Sequence, residues 1–258
     1  MYRFLLKPNW LLLHLGALLL AALFIGLGFW QLRRLETRQN LNVLLQERLI
    51  LEPQPLDRLL QAYRTDTDPG EDSSIAYRPT TVTGRYDPTE EVLLRSAEAV
   101  NGEPGYFVLT PLVFADQSAV LVERGWVPFD MNTPPVEAAA PPEEAVEVRG
   151  IVTLERKPPT GWGASLAPRD PPGDLTITAY PDSKRLGAQM PYTLPPLYIE
   201  LQTQQPPQTS ELPLPKPSPE FGDGPHLGYA VQWFAFALIG TVGYGFLMRQ
   251  TARQRTKN

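Results

Sequence analysis

Two long uncharged stretches bracket the chain. The first, between Lys7 and Arg33, reads PNWLLLHLGALLLAALFIGLGFWQL. It exceeds the roughly 18 apolar residues that a membrane-spanning helix needs. Trp10 and Trp30 lie near its ends, where interfacial aromatic residues belong. A cleaved secretory signal would have an apolar core of about 7–15 residues and a small-residue cleavage site. This run is longer, ends on Phe29-Trp30 and continues into Arg33-Arg34, so it reads as a retained span. The second stretch, GPHLGYAVQWFAFALIGTVGYGFLM, lies between Asp223 and Arg249, with Pro225 placed to open a helix. Arg249, Arg253, Arg255 and Lys257 follow it, which sets its far end at a cytoplasmic face. Gly16, Ala22, Gly26 and Gly28 in the first run, and Gly228, Gly240, Gly243 and Gly245 in the second, fit either close helix packing or the ordinary glycine usage of membrane helices.

Between the two runs the period changes. Residues 35–51 keep leucines on helical spacing and predict that the first helix continues past the apolar stretch. A short helix is expected over 55–63, and a loop over 66–74 (DTDPGEDSS). Seven segments then read as strands: 78–86, 91–95, 106–114, 119–127, 146–154, 174–180 and 197–203. The chain holds 29 prolines, and the doublets at 134–135, 141–142, 158–159, 171–172 and 195–196 fall between these segments, where missing amide donors do no harm. Residues 205–225 (QPPQTSELPLPKPSPEFGDGP) predict an extended, semi-rigid tether.

The expected fold class is a membrane protein: two transmembrane α-helices, N- and C-terminal, forming a hairpin that flanks a mainly β extracytoplasmic domain, α+β and barrel- or sandwich-like. Residues 1–9 are a cytoplasmic N-terminus, 10–32 the first transmembrane helix and 33–204 the β-rich domain with its helical start. Residues 205–225 are the tether, 226–248 the second transmembrane helix and 249–258 a basic cytoplasmic tail. A loop this long crosses a membrane largely regardless of its charge, so both termini are placed inside the cell and the domain outside. The expected location is the cell (plasma or inner) membrane, in contact with lipid.

Composition narrows the chemistry. Charges are mixed and the net charge is −5, which offers no basic stripe for nucleic acid. There is no cysteine, so disulfides, thiolate nucleophiles and cysteine metal sites are excluded. Histidine occurs only at His14 and His226, so the β domain cannot build a Ser-His-Asp triad or a His/Cys zinc site. Gly161-Trp162-Gly163 lacks the further glycine and lysine of a phosphate-binding loop. Glu90-Glu91 and Glu143-Glu144 sit in polar, proline-flanked surroundings and read as solvated surface. Glu123-Arg124-Gly125-Trp126 ends a strand, with Trp126 over the core and Arg124 paired to a carboxylate, or else forms a ligand contact. The chain is not expected to be an enzyme.

The polar residues of the two apolar runs gather at one end. Trp30, Gln31, Arg33 and Arg34 close the first helix, while His226, Tyr229, Gln232 and Trp233 begin the second at the same face. His226, Tyr229 and Trp233, spaced i, i+3, i+7, share one side, and Gln232 is expected to turn toward Gln31. Polar side chains in membrane segments are functional candidates by default. An imidazole among aromatic rings can ligate haem iron, and Arg33 or Arg34 can pair with carboxylates. The same residues are equally compatible with simple interfacial anchoring. His14 lies on the order of 20 Å deeper at 1.5 Å per residue, too far to be a second ligand from the same molecule.

Four stretches at suitable spacing carry a resemblance: residues 27–34 (LGFWQLRR), 78–86 (RPTTVTGRY), 121–128 (LVERGWVP) and 226–234 (HLGYAVQWF). The chain resembles the Surfeit locus protein 1 family of cytochrome c oxidase assembly factors along nearly its whole length. It departs from the family pattern at Gly224-Pro225, where many members carry asparagines, and at Glu123, where asparagine or aspartate is common. The resemblance implies binding or stabilising haem a during insertion into the oxidase catalytic subunit, with His226 as the ligand to haem iron. It implies the catalytic subunit and haem A synthase as partners. The alternative is a non-catalytic membrane scaffold that holds oxidase subunits without binding haem.

Overall fold

The computed structural model describes residues 7–66, 73–95, 100, 102–155, 158–161, 164–217, 219 and 221–257. Two compact units divide the chain: Gln46–Pro219, and the two terminal helices. The leucine spacing past Arg33 keeps the first helix going, and α1 runs unbroken over Pro8–Leu49. The other terminal helix, α4, covers His226–Lys257 and starts where Pro225 allows, with the Tyr229 amide bonded to the Pro225 carbonyl at 3.1 Å. Both are long and apolar enough to cross a membrane. Their outward leucines and isoleucines are open to the surroundings, Leu18 at 69% and Ile239 at 68% exposure. Such continuous apolar surface calls for a nonaqueous neighbour.

Six of the seven expected segments become strands within a residue or two of where the pattern puts them. In chain order the strands are β1 (Gln54–Pro55), which was not expected, β2 (Pro79–Tyr86), β3 (Val92–Arg95), β4 (Gly105–Val113), β5 (Ala119–Pro128), β6 (Val146–Leu154), β7 (Ile177–Thr178) and β8 (Leu197–Gln205). The sheet order is β1-β2-β6-β8-β5-β4-β3-β7. Two further pairs, Arg85 with Val113 and Tyr86 with Leu112, join β2 to β4 and close five strands into a barrel. Closure leaves those strands no open edge. All its neighbours are antiparallel except β5 and β8.

Inside the barrel Tyr86, Leu112, Val122, Val148 and Ile199 form one core, joined by Leu56 and Leu59 from helix α2 (Leu56–Thr65). Strands β4 and β5 are buried on both faces along almost their whole length, which is why they read as continuous apolar runs rather than alternating ones. Helix α3 (Ser183–Gln189) covers part of the outer face, packing Leu186 with Leu109, Leu121 and Tyr198. The segment around Val136 and Ala139 covers Val108 and Val127.

Three local expectations are corrected. Residues 174–180 give only the two-residue β7, because the stretch before it contributes Leu175 to the core beneath α3. Helix α3 was not expected. Its signal is the cap at Asp182, whose carboxylate accepts from the Lys184 and Arg185 amides at 3.0 and 3.1 Å. Glu91 is not solvated surface but 5% exposed. Its Oε1 accepts from the Val136 amide at 2.8 Å and its Oε2 from the Thr110 hydroxyl at 3.1 Å. Glu143 and Glu144 are exposed as expected. Trp162 and Gly163, and residues 67–72 of the expected loop, lie outside the described residues.

The 123–126 motif takes its structural reading. Val108 faces Gly125 and Leu109 faces Glu123, so Arg124 is the extra residue of a β-bulge and turns inward. Its side chain is fully buried, with Nη1 3.7 Å from Glu91 Oε2 and Nη2 donating to Gln208 Oε1 at 3.2 Å. The guanidinium stands 5.3 Å from the Tyr86 ring centre. Burial raises the Glu91 carboxyl above its ordinary pKa despite the Val136 amide and Arg124, and burial lowers Arg124. Desolvation thus outweighs attraction for both partners.

The proline-rich stretch lies fastened along the barrel over residues 206–216. Gln208 meets Arg124, and Leu214 exchanges two backbone hydrogen bonds with Trp126, at 2.7 and 2.9 Å. Lys216 Nζ sits 3.0 Å from both Glu123 and Glu200, over the Phe107 ring.

Candidate functional site

Along α1 the positions shielded from solvent recur in alternating steps of four and three: Phe24, Gly28, Gln31, Leu35, Arg38, Asn42 and Leu45. This is the seam of a helix packed against a partner helix. On α4 the shielded positions near its start are His226, Ala230, Trp233, Phe234, Ala235 and Ala237. The two seams meet. Phe24 stacks on Trp233 with ring centres 5.7 Å apart, and Phe29 meets Phe234 edge to face at 5.4 Å.

At the end of the apolar stretch His226 Nδ1 lies 2.9 Å from Gln31 Oε1. Gln31 is 9% exposed, and His226 is half-buried. The turn before His226 is held by the continuation of α1. Arg38 Nε and Asn42 Nδ2 both donate to the Gly222 carbonyl at 3.3 Å, and Gln39 Nε2 donates to Asp223 at 2.9 Å. The polar residues that extend α1 beyond its apolar part therefore fix where α4 begins.

The candidate residues separate into two groups. Gln31, His226 and Trp233 lie in the seam. Trp30, Arg33, Arg34, Tyr229 and Gln232 are exposed, with the Arg34 guanidinium 5.8 Å from the Trp30 ring centre. The expectation that Gln232 meets Gln31 is corrected: Gln232 points outward, and Gln31 binds His226 instead. The reason is helix phase, since Gln232 falls between the seam positions Ala230 and Trp233. Arg38, Gln39, Asn42 and Phe234 were not foreseen. Their signal was the three-and-four spacing of Gln31, Arg38 and Asn42, which the uniformly apolar sequence before them hides.

Of the glycines noted in the two runs, Gly28 marks a close approach: a Cβ there would stand 2.6 Å from the Phe234 ring. The others have nothing within 4 Å of such a Cβ. Gly28→Leu is expected to force the helices apart and lower the stability of the pair by about 1–3 kcal/mol, as overpacking does. Thermal unfolding of helical circular dichroism in detergent measures it, and Gly26→Leu should change little.

The second histidine is far from this site. His14 Nδ1 lies 2.5 Å from the Tyr244 hydroxyl, beside an apolar groove of ≈ 970 Å³ between the helices. About 25 Å of helix separates His14 from Gln31 at 1.5 Å per residue.

The SURF1 family profile matches residues 18–238, from inside the first apolar run to inside the second. A SURF1-like protein of Mycobacterium tuberculosis is 30% identical over 261 residues, covering 98% of this chain and 89% of the relative. The cytochrome oxidase assembly protein SHY1 of Saccharomyces cerevisiae is 33% identical over 150 residues, 56% of this chain and 36% of the yeast protein. Surfeit locus protein 1 of Homo sapiens is 30% identical over 152 residues, 53% of this chain and 48% of the human one. With the profile covering the barrel and reaching into both terminal helices, the chain belongs to the SURF1 family.

Proposed function

We propose that this chain is a membrane-anchored assembly factor for cytochrome c oxidase, and that the start of α4 holds haem a on its way into the catalytic subunit. The similarity to the yeast cytochrome oxidase assembly protein supports the assembly role. The length and apolarity of α1 and α4 support a two-pass arrangement, and the basic residues after the second apolar run support cytoplasmic termini. The β domain is then extracytoplasmic, and the partners are the oxidase catalytic subunit and, upstream, haem A synthase.

The observation that carries the haem reading is the His226 imidazole, half-buried at the head of a helix that carries no charged residue before Arg249. The donor set fits the group: an imidazole suits iron, exposed guanidinium groups at Arg33 and Arg34 suit carboxylates, and the faces of Trp30 and Tyr229 suit a flat macrocycle. Haem iron would supply an open coordination position to the imidazole. The chain's own part is to present that nitrogen, neutralise the propionates and keep the ring out of water.

The test is the visible spectrum of the full chain purified from cells that make haem A, beside His226→Ala. Haem is expected in the first and at least tenfold less in the second. Absence from both, or equal amounts in both, rejects haem binding at this site and leaves a scaffold that works without the cofactor.

A further inference from the structure

We propose that Gln31 is a positioning residue: it fixes the tautomer and plane of the His226 ring so that Nε2, and not Nδ1, is the ligand nitrogen. The inference rests on the haem reading of the site, but its structural half is independent of haem.

An amide oxygen only accepts hydrogen bonds. The 2.9 Å contact between Gln31 Oε1 and His226 Nδ1 therefore places the proton on Nδ1, which donates. A neutral imidazole carries one N–H and one lone pair, so the lone pair falls on Nε2. The residue nearest Nε2 on the chain before it is a glycine. Gly224, at φ +67°, is beside it, and a Cβ there would lie 3.6 Å from Nε2 and 3.5 Å from Cδ2. Glycine at that turn leaves the Nε2 edge of the ring uncovered by a side chain.

Gln31 is itself held. It is 9% exposed and lies in the α1 seam between Gly28, where a Cβ would meet the Phe234 ring, and Arg38 and Asn42, which grip the Gly222 carbonyl just before His226. The acceptor and the ring are thus fixed from both sides, which is what a ligand imidazole requires of its outer partner.

The experiment uses the full chain in lipid nanodiscs, with ¹⁵N-labelled histidine and His226→Ala to assign the signals. Without haem, at a pH where the ring is neutral, wild type is expected to show Nδ1 protonated and Nε2 unprotonated. Gln31→Leu is expected to lose that bias, and Gln31→Glu, which keeps an acceptor oxygen, to retain it. Titrated with haem, Gln31→Leu is expected to bind about 10–100-fold more weakly, the usual cost of losing such a partner, while Gln31→Glu stays within a few-fold of wild type. An Nε2–H tautomer in wild type, or a tautomer and affinity that Gln31→Leu leaves unchanged, overturns the proposal. If wild type binds no haem, the haem reading fails, and the tautomer alone decides whether Gln31 orients the ring. A Gln31→Leu chain that does not fold is distinguished by its helical circular dichroism, and Gln31→Glu against wild type then carries the test: loss of the Nδ1–H tautomer in that variant overturns the proposal.

Discussion

Replacing Glu91 by alanine is expected to lower the unfolding free energy of the β domain by about 3–5 kcal/mol, the range for removing one partner of a buried ion pair. The expected loss has two sources. The Val136 amide and the Thr110 hydroxyl lose their acceptor, and Arg124 loses the carboxylate it is paired with among the described residues while keeping its charge in the barrel. Glu91→Gln separates the two. It keeps an oxygen for the Val136 amide, and the raised pKa says that the site prefers a neutral group there. The glutamine is therefore expected to cost only about 1–2 kcal/mol, the scale of an imperfectly replaced hydrogen bond. Thermal unfolding of the full chain in detergent, followed by tryptophan fluorescence, measures both variants.

The pH dependence has a definite sign. A carboxyl whose pKa is raised by folding binds its proton more tightly in the folded state, so its contribution is fully present below the ordinary carboxylate range. It is lost as pH rises through the raised value. Wild type is expected to lose stability over that window, and Glu91→Gln should not show this component. A variant whose pH profile matched wild type would mean that Glu91 does not titrate in the folded barrel.

How much of this was legible in the sequence depends on where each signal resides. Strand β6 could be read residue by residue, because its two faces differ in polarity. Strands β4 and β5 were legible for the opposite reason: apolar side chains are needed on both faces when both are covered. Barrel closure was not legible, since it rests on Arg85, Tyr86, Leu112 and Val113, which are ordinary strand residues. Strands β1 and β7 are too short to carry any period. Glu91 was misread because its neighbours in sequence are polar, while its neighbours in space are Thr110, Arg124 and Val136. At the helices, the residue types of the candidate site were visible but their pairing was not. In a helix apolar on every side, hydrophobicity cannot report which face is packed, and only Gln31 and Asn42 betray the seam.

The second large effect is expected at Lys216. Its ammonium lies between Glu123, whose side chain is 1% exposed, and Glu200 on the neighbouring strand. Burial works against the lysine cation, but the two carboxylates more than offset it and hold its pKa above the ordinary value. Lys216→Met keeps a side chain of similar length and removes the ammonium, which lies 5.1 Å from the Phe107 ring centre. Two carboxylates then face each other with the cation gone, and the expected cost is again about 3–5 kcal/mol. Unlike the Glu91 variants, this one should act locally. The proline-rich strap is joined to the barrel edge by Leu214 and Trp126, and the close fit at Gly125, where a Cβ would stand 2.3 Å from the Leu214 carbonyl oxygen, leaves no slack for it to shift. Hydrogen exchange at the Leu214 and Trp126 amides, and protease cleavage within 206–217, should rise before the rest of the barrel responds. Because the variant suffers from repulsion between like charges, acidification that protonates one carboxylate should restore much of the loss. Glu123→Gln in the same chain should do so without any change of pH. A double variant no more stable than Lys216→Met would show that repulsion between Glu123 and Glu200 is not the source of the loss.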